Sequence, residues 1–286
     1  MKRRYVILLT ACVNPGGMPF TVLNDTSERL RQYREALDFY LRETTQPIVF
    51  CENTLCDFSE DYKEHISSGR LEYITFDGNN FDKSKGKGYG EALIMEEAFR
   101  TSVIIKPSDI IVKITGRLKV TNINNLINEN NRFFVNTIQT MNPSNTFVDS
   151  RIVISPLSFF QNIFLPQKYL INDSENSFFE NVLFKSLLLR KNYMFIPFLH
   201  IPEILGISGS KGIEYKHYRR KIDNKKYIFD MLGNCMKMEN QYEYYRIPFI
   251  IKLIIIIVRC LLLLCIKINH LFKYCIYKVV NYAETK

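Results

Sequence analysis

The sequence of 286 residues contains no CxxC pair, although it has seven cysteines. Several of these cysteines, such as Cys51 and Cys260, lie within apolar runs. Structural zinc sites commonly use closely spaced cysteine pairs, so the pattern does not favour a zinc site. We expect reduced, buried thiols in a cytosolic setting.

Two further motifs are missing from the chain. The Walker A pattern GxxxxGK[ST] is absent, so the chain has no P-loop motif. It also lacks an arginine-rich helix with interleaved aromatic residues, so the net charge of +9 does not favour nucleic acid as the partner. The charge instead favours an anionic ligand or an anionic membrane surface.

Short apolar runs that end in turn residues predict buried, parallel strands. The first of these runs is followed by no clean small-residue cleavage site, so we interpret it as a strand and not as a signal peptide. In chain order, the predicted elements are a strand at 5–12, a helix at 25–42, a strand at 47–53, a helix at 58–66, and strands at 71–76 and 109–114. Asp25, with Glu28 three residues later, predicts the N-cap of the first helix.

This alternation of strands and helices is typical of α/β folds. Polar residues follow the carboxyl ends of the predicted strands: Thr10, Asn14, Glu52, Asn53 and Asp77. In open parallel sheets, ligands bind beyond those ends. We therefore expect a binding site at this edge of the sheet.

The stretch from Lys85 to Gly90, KGKGYG, has glycine at every second position and two lysines. We interpret it as a basic glycine loop before a helix that starts near Glu91 and runs to about Thr101. Glycine permits close backbone approach, and the N–H groups of a following helix attract anions, so the loop suits a phosphate or diphosphate. A flexible surface loop is the alternative.

Beyond residue 131, the patterns predict strands at 132–137, 147–154 and 193–200 and helices at 156–164 and 174–192. The second of these helices would be capped by Ser174 or Ser177. A second glycine- and serine-rich loop, with Lys211, covers residues 202–212.

The C-terminal segment from residue 247 to 266 is long and apolar, but Lys252 and Arg259 interrupt it. At helical spacing, the basic residues fall within one band, which favours a helix that lies in the membrane interface. A spanning helix and a partner-binding or core helix remain alternatives. We expect a main domain of residues 1–240 and a membrane-associating helical tail of residues 241–286.

Six features in order resemble bacterial glycosyltransferases of capsule, O-antigen and lipo-oligosaccharide gene clusters, over about residues 4–220. They are the strand end TACVNP, the Asp-x-x-x-Arg helix with Tyr33, the strand IVFCEN, the segment KGKGYGE, the strand end KITGR and the loop EILGISGSKG. The resemblance implies an α/β fold of the GT-A-like type, a Rossmann-like mixed sheet flanked by helices. Here an apolar and basic helical tail follows this fold.

The resemblance also implies a nucleotide-sugar site. Thr10, Ala11 and Asn14 would lie beside the base and ribose, with Glu52 and Asn53 nearby. The diphosphate or donor sugar would face four residues of the glycine segment, namely Lys85, Lys87, Tyr89 and Glu91.

Thr115, Gly116 and Arg117 occupy the place where most GT-A enzymes carry a metal-binding Asp-x-Asp. No Asp-x-Asp occurs near this strand end, and Asp149-Ser150-Arg151 offers one carboxylate. No cofactor is therefore assigned with certainty, and a divalent metal, Mn²⁺ or Mg²⁺, stays an alternative. Cationic side chains can replace a metal in stabilising a departing diphosphate. Those available are Lys85, Lys87, Arg117 and Lys211.

An inverting transfer needs a carboxylate base for the acceptor hydroxyl. The candidates are Glu180, Glu175 and Asp149. We prefer Glu180, near the start of a predicted helix, and place Asp149 second. Arg117 is the expected catalytic cation.

The expected activity is that of a hexosyltransferase-type glycosyltransferase (EC 2.4). It would move a sugar from a nucleotide-sugar donor to a lipid-linked or oligosaccharide acceptor, in capsule polysaccharide or lipopolysaccharide biosynthesis. The site of action would be the cytoplasmic face of the inner membrane. A sugar-phosphate nucleotidyltransferase is a rival, but residues 12–20, CVNPGGMPF, lack the basic glycine-rich loop such enzymes carry after the first strand. A catalytically inactive nucleotide-binding or scaffold protein of the same pathway is the other alternative.

Overall fold

A computed structural model of the chain describes residues 3–130, 134–138, 147–188, 194–198, 200–215, 229, 232–233 and 252–264. The chain divides into two compact units, Met1–Tyr218 and Arg219–Lys286. The predicted boundary at residue 240 lies outside the described residues. In the second unit, residues 252–264 are helical. Within the described parts of the chain, none of the helices has the length and apolar character needed to cross a membrane.

The first unit is built on a mixed sheet that has seven strands among the described residues. These strands are β1 Tyr5–Ala11, β2 Ile48–Glu52, β3 Leu71–Thr75, β4 Ile110–Thr115, β6 Phe134–Ile138, β7 Asp149–Pro156 and β8 Met194–Pro197. Their order is β3-β2-β1-β4-β7-β6-β8. Strands β3, β2, β1 and β4 run parallel, whereas β7 is antiparallel to both β4 and β6. A smaller antiparallel sheet contains β5 Lys119–Val120, β9 Ile204–Ile207 and β10 Glu214–Tyr215.

Helices flank the main sheet, so the predicted α/β class is confirmed. The α-helices are α1 Thr26–Glu43, α2 Lys63–Ser67, α3 Gly86–Thr101, α4 Ile123–Glu129, α5 Leu157–Phe159 and α6 Phe179–Leu188. The predicted N-cap of α1 is also confirmed, because Asp25 Oδ1 accepts the Glu28 N–H at 2.9 Å. The predicted helix at 156–164 is the short α5 followed by a π-helical turn, Phe160–Phe164.

The glycine segment is helical, so the predicted loop at residues 85–90 is wrong. Helix α3 begins at Gly86, five residues before the predicted start near Glu91. Its glycines allow close packing: an added Cβ would lie 2.0 Å from Asp173 Cγ at Gly86 and 2.8 Å from Phe179 Cβ at Gly88. The glycines therefore allow α3 to pack closely against Asp173, which precedes α6, and Phe179, which begins it. These partners are distant in sequence, so the local pattern does not reveal them.

The predicted helix at 174–192 begins later than expected, at Phe179. A short 3₁₀ turn, Asp173–Glu175, precedes it, and Asn176 follows with a φ of 56°. This left-handed residue separates the turn from α6, so Ser174 does not cap the helix and Glu175 lies outside it. Residues 189–193 lie outside the described part of the chain.

The two faces of the main sheet carry different side chains on β4. Val112 and Ile114 join the hydrophobic core that also contains Tyr33 and Leu37 of α1. Successive side chains of a strand point to opposite faces, so Lys113 lies on the other face, where it contacts α3 and α6. A charged side chain is thus placed inside a run of buried aliphatic residues.

The contact between Gly86 and Asp173 can be tested by Gly86→Ala. Gly86 has φ 80° and ψ 177°, a conformation that is essentially restricted to glycine. We expect Gly86→Ala to lower the free energy of unfolding by about 2 to 5 kcal/mol, since backbone strain and overpacking each cost roughly 1 to 3 kcal/mol. Urea unfolding measures this change.

Gly69→Ala is the matched control, because Gly69 has φ 71° but nothing within 4 Å of an added Cβ. It should cost about 1 to 2 kcal/mol, from the backbone alone. Equal losses in the two variants would contradict the tight contact at Gly86.

Candidate active site

A cavity of about 220 Å³ lies at the carboxyl ends of three neighbouring parallel strands. Thr10 and Ala11 of β1, Asn53 after β2 and Thr115 of β4 line it. Strands β2 and β4 flank β1 on opposite sides, so the strand order reverses at this point. Open α/β sheets bind ligands at such a point, which makes the cavity the candidate site.

Charged side chains from several elements line the cavity: Arg29, Lys87, Glu91, Arg117, Arg151, Asp173 and Glu180. Two of the arginines are deeply buried, with Arg29 6% and Arg117 7% exposed. These two define what we call the cationic side of the cavity.

Arg29 and Arg117 are held by neutral oxygen atoms. Arg29 donates from Nε to the Cys12 carbonyl at 2.9 Å and from Nη1 to the Leu23 carbonyl at 3.0 Å. Arg117 Nη1 donates to Gln32 Oε1 at 3.1 Å and to the Ile207 carbonyl at 2.9 Å, while its buried Nε has no hydrogen-bond partner among the described residues.

Neither guanidinium forms an ion pair with a carboxylate of the described residues. A buried cation is costly unless a negative charge accompanies it. The cationic side of the cavity therefore suits an anionic ligand.

The opposite side of the cavity carries Glu180, on the first turn of α6. Ser150 Oγ, from β7, donates a hydrogen bond to Glu180 Oε1 at 2.7 Å. Burial raises the pKa of Glu180 above its ordinary value, although the Ser150 hydrogen bond and the Lys113 charge oppose the rise. A raised pKa brings a carboxyl group closer to the range useful for proton transfer near neutral pH.

Glu91, the other carboxylate at the centre of the cavity floor, is neutralised by a buried lysine. Glu91 Oε1 lies 2.6 Å from Lys113 Nζ and accepts a hydrogen bond from Thr10 Oγ1 at 2.8 Å. Lys113 is fully buried and also donates to the Ser150 carbonyl at 2.7 Å. The floor of the cavity is therefore one connected polar network that joins β1, α3, β4 and β7.

The N-terminus of α3, expected to bind diphosphate, faces a carboxylate of this chain. Asp173 packs against the position that a Gly86 Cβ would take. Burial raises the pKa of Asp173, whereas the Lys87 charge and N–H lower it. The Lys87 side chain reaches the cavity and contacts Ser210 Oγ.

The structure brings about half of the sequence-predicted site residues into one cavity. Those that line it are Thr10, Ala11, Asn53, Lys87, Glu91, Thr115, Arg117 and Glu180. Those that lie outside its lining are Asn14, Glu52, Lys85, Tyr89, Gly116, Asp149 and Lys211.

Two of the outlying carboxylates are occupied by protein donors. Glu52 is fully buried and accepts the backbone N–H groups of Val13 at 3.0 Å, Thr54 at 2.8 Å and Cys56 at 2.9 Å. It therefore fixes the loops after β1 and β2. Asp149 pairs with Arg151, whose Nε lies 2.9 Å from Asp149 Oδ2. Asp149 is therefore already paired with a cation of the same chain.

The remaining outlying residues have local contacts of their own. Lys85 Nζ lies over the Tyr89 ring at 4.4 Å. Gly116 packs so closely on β1 that an added Cβ would lie 2.7 Å from the Thr10 carbonyl oxygen. Lys211 donates its backbone N–H to Ser208 Oγ at 3.2 Å, within the loop after β9.

Sequence reasoning missed Arg29 and Ser150, which line the cavity, and Lys113, which lies beneath it in the polar network. Arg29 shares the helical face of Tyr33 and Leu37, at spacings of four residues, and a charge on such a buried face was a usable signal. Lys113 likewise interrupts an apolar strand. Ser150 gave no signal, because its contact with Glu180 joins segments 30 residues apart.

The residues at the end of β4 do not suit the divalent metal that the resemblance implies. Mn²⁺ and Mg²⁺ favour carboxylate and other oxygen ligands. Thr115-Gly116-Arg117 offers one hydroxyl and a cation. Over the described residues, no group of three His, Cys, Asp or Glu side chains could hold a metal ion.

The fold and the cavity define a mixed α/β protein with a charged ligand site at the carboxyl edge of its parallel strands. No protein-family model matches the sequence, and no curated protein matches it. Some solved structures are distantly similar. The glycosyltransferase GlyE of Streptococcus pneumoniae TIGR4 aligns with 68% of this chain at 12% identity and a TM-score of 0.42.

Two other solved structures are also distantly similar. A 4-diphosphocytidyl-2C-methyl-D-erythritol synthase aligns with 77% of this chain and 95% of its own, at 12% identity and a TM-score of 0.38. S. aureus TarS in complex with UDP aligns with 82% of this chain and 65% of its own, at 9% identity and a TM-score of 0.36. The alignment with GlyE, in contrast, covers only 45% of the GlyE chain. At these identities and scores, none of them assigns an activity to this chain.

The raised pKa of Glu180 predicts how the free energy of unfolding depends on pH. A carboxyl group whose folded pKa lies above its unfolded pKa stabilises the fold most below the unfolded value, and that stability is lost as the pH rises through the folded value. Glu180→Gln removes this penalty and keeps an acceptor for Ser150. We expect the variant to have a higher free energy of unfolding than wild type at pH 7, and the gain to vanish in acid.

Urea unfolding over a series of pH values measures the effect. Glu175→Gln is the control, because Glu175 is exposed and lies outside the cavity lining. A destabilised Glu180→Gln variant at pH 7 would show that the carboxylate form of Glu180 is favoured by the fold.

Proposed function

We propose that this chain is a glycosyltransferase that binds a nucleotide-sugar donor in the cavity at the ends of β1, β2 and β4. The observation that carries the proposal is the pair of buried guanidinium groups, Arg29 and Arg117, on one side of the cavity and Glu180 on the other. An anion-binding side and a proton-accepting side are the two parts that transfer from a nucleoside diphosphate sugar requires.

In this proposal, Arg29 and Arg117 hold the diphosphate of the donor. Cleavage of the bond between the sugar and the diphosphate leaves its electron pair on the diphosphate oxygen, so negative charge grows there. Fixed cations in a cavity with little water stabilise that charge strongly. Lys87, which also lines the cavity, adds a third cation.

Glu180 acts as the base in this reaction. The acceptor hydroxyl attacks the anomeric carbon, a new carbon–oxygen bond forms, and the hydroxyl proton passes to the Glu180 carboxylate. Ser150 orients the carboxylate through its hydrogen bond at 2.7 Å. The raised pKa of Glu180 makes it a better proton acceptor than an exposed glutamate.

The proposed acceptor is a lipid-linked glycan of a bacterial surface polysaccharide, with transfer of a hexose at the cytoplasmic face of the membrane. The second unit supports this part of the proposal. Its helix at 252–264 exposes seven large aliphatic side chains: Leu253, Ile254, Ile256, Ile257, Leu261, Leu263 and Leu264. The same helix carries Lys252 and Arg259. Apolar and basic side chains on one helix suit the interface of an anionic membrane.

Loss of either buried arginine should weaken nucleotide binding. UDP, GDP and CMP are screened by the shift in melting temperature of the full chain, and the nucleotide that gives the largest shift is then used with the variants. Arg29→Met and Arg117→Met should weaken its binding by about 10- to 100-fold, since hydrogen bonds to charged groups contribute about 1.5 to 3 kcal/mol.

Arg42→Met is the matched control, because Arg42 lies on α1, as Arg29 does, but is 69% exposed and pairs with Glu43. Its nucleotide shift should equal that of wild type. Undiminished binding by both cavity variants would contradict the assigned anion site.

Membrane association is tested by deleting residues 247–286. The full chain should sediment with vesicles of anionic phospholipid, and the deletion variant should stay in the supernatant, because the apolar and basic helix is gone. The double variant Val103→Ser/Tyr169→Ser is the control, since it removes two exposed apolar side chains of the first unit. It should sediment as wild type does. A deletion variant that still sediments would show that the tail is not the anchor.

A further inference from the structure

The side chain of Lys113 is the only one of the described lysines that is fully buried. Its ammonium group lies 2.6 Å from Glu91 Oε1, 2.7 Å from the Ser150 carbonyl oxygen and 5.2 Å from the centre of the Phe179 ring. The donor-binding and proton-accepting roles proposed above do not use Lys113. Burying a lysine costs free energy, because burial disfavours its charged form, so a buried lysine requires specific partners that a surface lysine does not.

Lys113 stands between the two glutamates of the cavity. On one side it forms the ion pair with Glu91 of α3. On the other side it binds the backbone of Ser150, whose hydroxyl donates to Glu180 of α6. Lys113 is therefore paired directly with one of the two glutamates that line the cavity and is connected to the other through Ser150.

The charged groups that act on Glu180 come from two neighbouring elements. Glu91 on α3 raises the pKa of Glu180, and Lys113 on β4 lowers it. Ser150 on β7 contributes its hydrogen bond, and burial supplies the largest effect. The balance between Glu91 and Lys113 thus adjusts a proton affinity that burial alone would set higher.

We infer that Lys113 is a positioning residue, which fixes Ser150 and shares its charge between Glu91 and Glu180 so that Glu180 stays ionised when the acceptor arrives. This inference rests on the proposed function of Glu180 as the base. The ion pair with Glu91 limits the effect of Lys113 on Glu180, because the negative charge of Glu91 offsets part of the positive charge of Lys113. A carboxylate that was fully neutralised would be a poor base, and one that was fully unpaired would be protonated.

The two neighbours of Glu180 should move its titration in opposite directions. Lys113→Met removes the positive charge and leaves Glu91 facing Glu180, so Glu180 should hold its proton to higher pH. Glu91→Gln removes the competing negative charge, while its amide oxygen still accepts from Thr10. Glu180 should then lose its proton at lower pH.

The titration can be measured without any substrate. The free energy of unfolding is compared between each protein and the same protein with Glu180→Gln, over a series of pH values. The difference grows with pH and becomes constant once the pH passes the folded pKa of Glu180. We expect the constant region to begin at higher pH in the Lys113→Met background and at lower pH in the Glu91→Gln background, each relative to wild type.

Lys168→Met is the matched control. Lys168 also pairs with a glutamate of α3, Glu96, at 2.8 Å, but it is partly exposed and does not line the cavity. Its background should leave the titration of Glu180 at the wild-type position. If Lys113→Met does not fold, the test rests on the Glu91→Gln protein compared with the Glu91→Gln/Glu180→Gln protein, because Glu91→Gln is an isosteric change.

Coinciding curves in the wild-type and Glu91→Gln backgrounds, or in the wild-type and Lys113→Met backgrounds, would overturn the inference. Activity separates it from the proposed function. When the donor is known, the acidic limb of kcat/KM should move in the same directions as the stability curves. Shifted stability curves in a chain with no transfer activity would preserve the linkage through Lys113 and reject the role of Glu180 in transfer.

Discussion

The buried ammonium of Lys113 is the interaction on which the rest of the site depends. Strand β4 places it on a buried face of the mixed sheet, where water cannot solvate the charge, so partners from the protein must do so. They are Glu91 of α3 and the Ser150 backbone of β7, at 2.6 and 2.7 Å. Thr10 of β1 and Glu180 of α6 are attached to these partners in turn. One charge therefore sets the relative positions of five elements at the carboxyl edge of the sheet.

In the cavity above this network, the unneutralised positive and negative side chains come from different elements. The anionic floor of the cavity is neutralised by Lys113, whereas the guanidinium groups of Arg29 and Arg117 donate only to uncharged oxygen atoms among the described residues. Positive charge is left over on the side of α1 and the loop after β9, and the carboxylate of Glu180 stands on the side of α6. A ligand that carries a diphosphate beside a neutral sugar matches this division. Arg117 stands where the resemblance implies a metal ligand. Its positive charge could itself stabilise an anionic ligand in this position.

The sequence was sufficient to predict what local patterns determine. Apolar runs located β1 to β4, and Asp25 located the start of α1. Thr10, Arg117 and Glu180 could be placed in one site, because they follow strand ends or begin a helix. The glycine segment misled the prediction, since Gly86 and Gly88 are explained by contacts with Asp173 and Phe179, more than 80 residues away. Glu52 misled it for the same reason: its burial depends on loops that fold around it. Long-range contacts decide whether a polar residue meets a ligand or the protein itself.

The central claim is that the cavity cleaves the bond between a sugar and a nucleoside diphosphate, with Glu180 taking the acceptor proton. The most direct measurement follows the products formed when the purified full chain is incubated with UDP-, GDP- and CMP-linked sugars. Water can replace the acceptor slowly in such reactions, so the account predicts release of free sugar and the intact nucleotide by wild type. Glu180→Gln should release neither, although it still binds the nucleotide. Equal release by both proteins, or products in which the diphosphate itself is cleaved, would contradict the account.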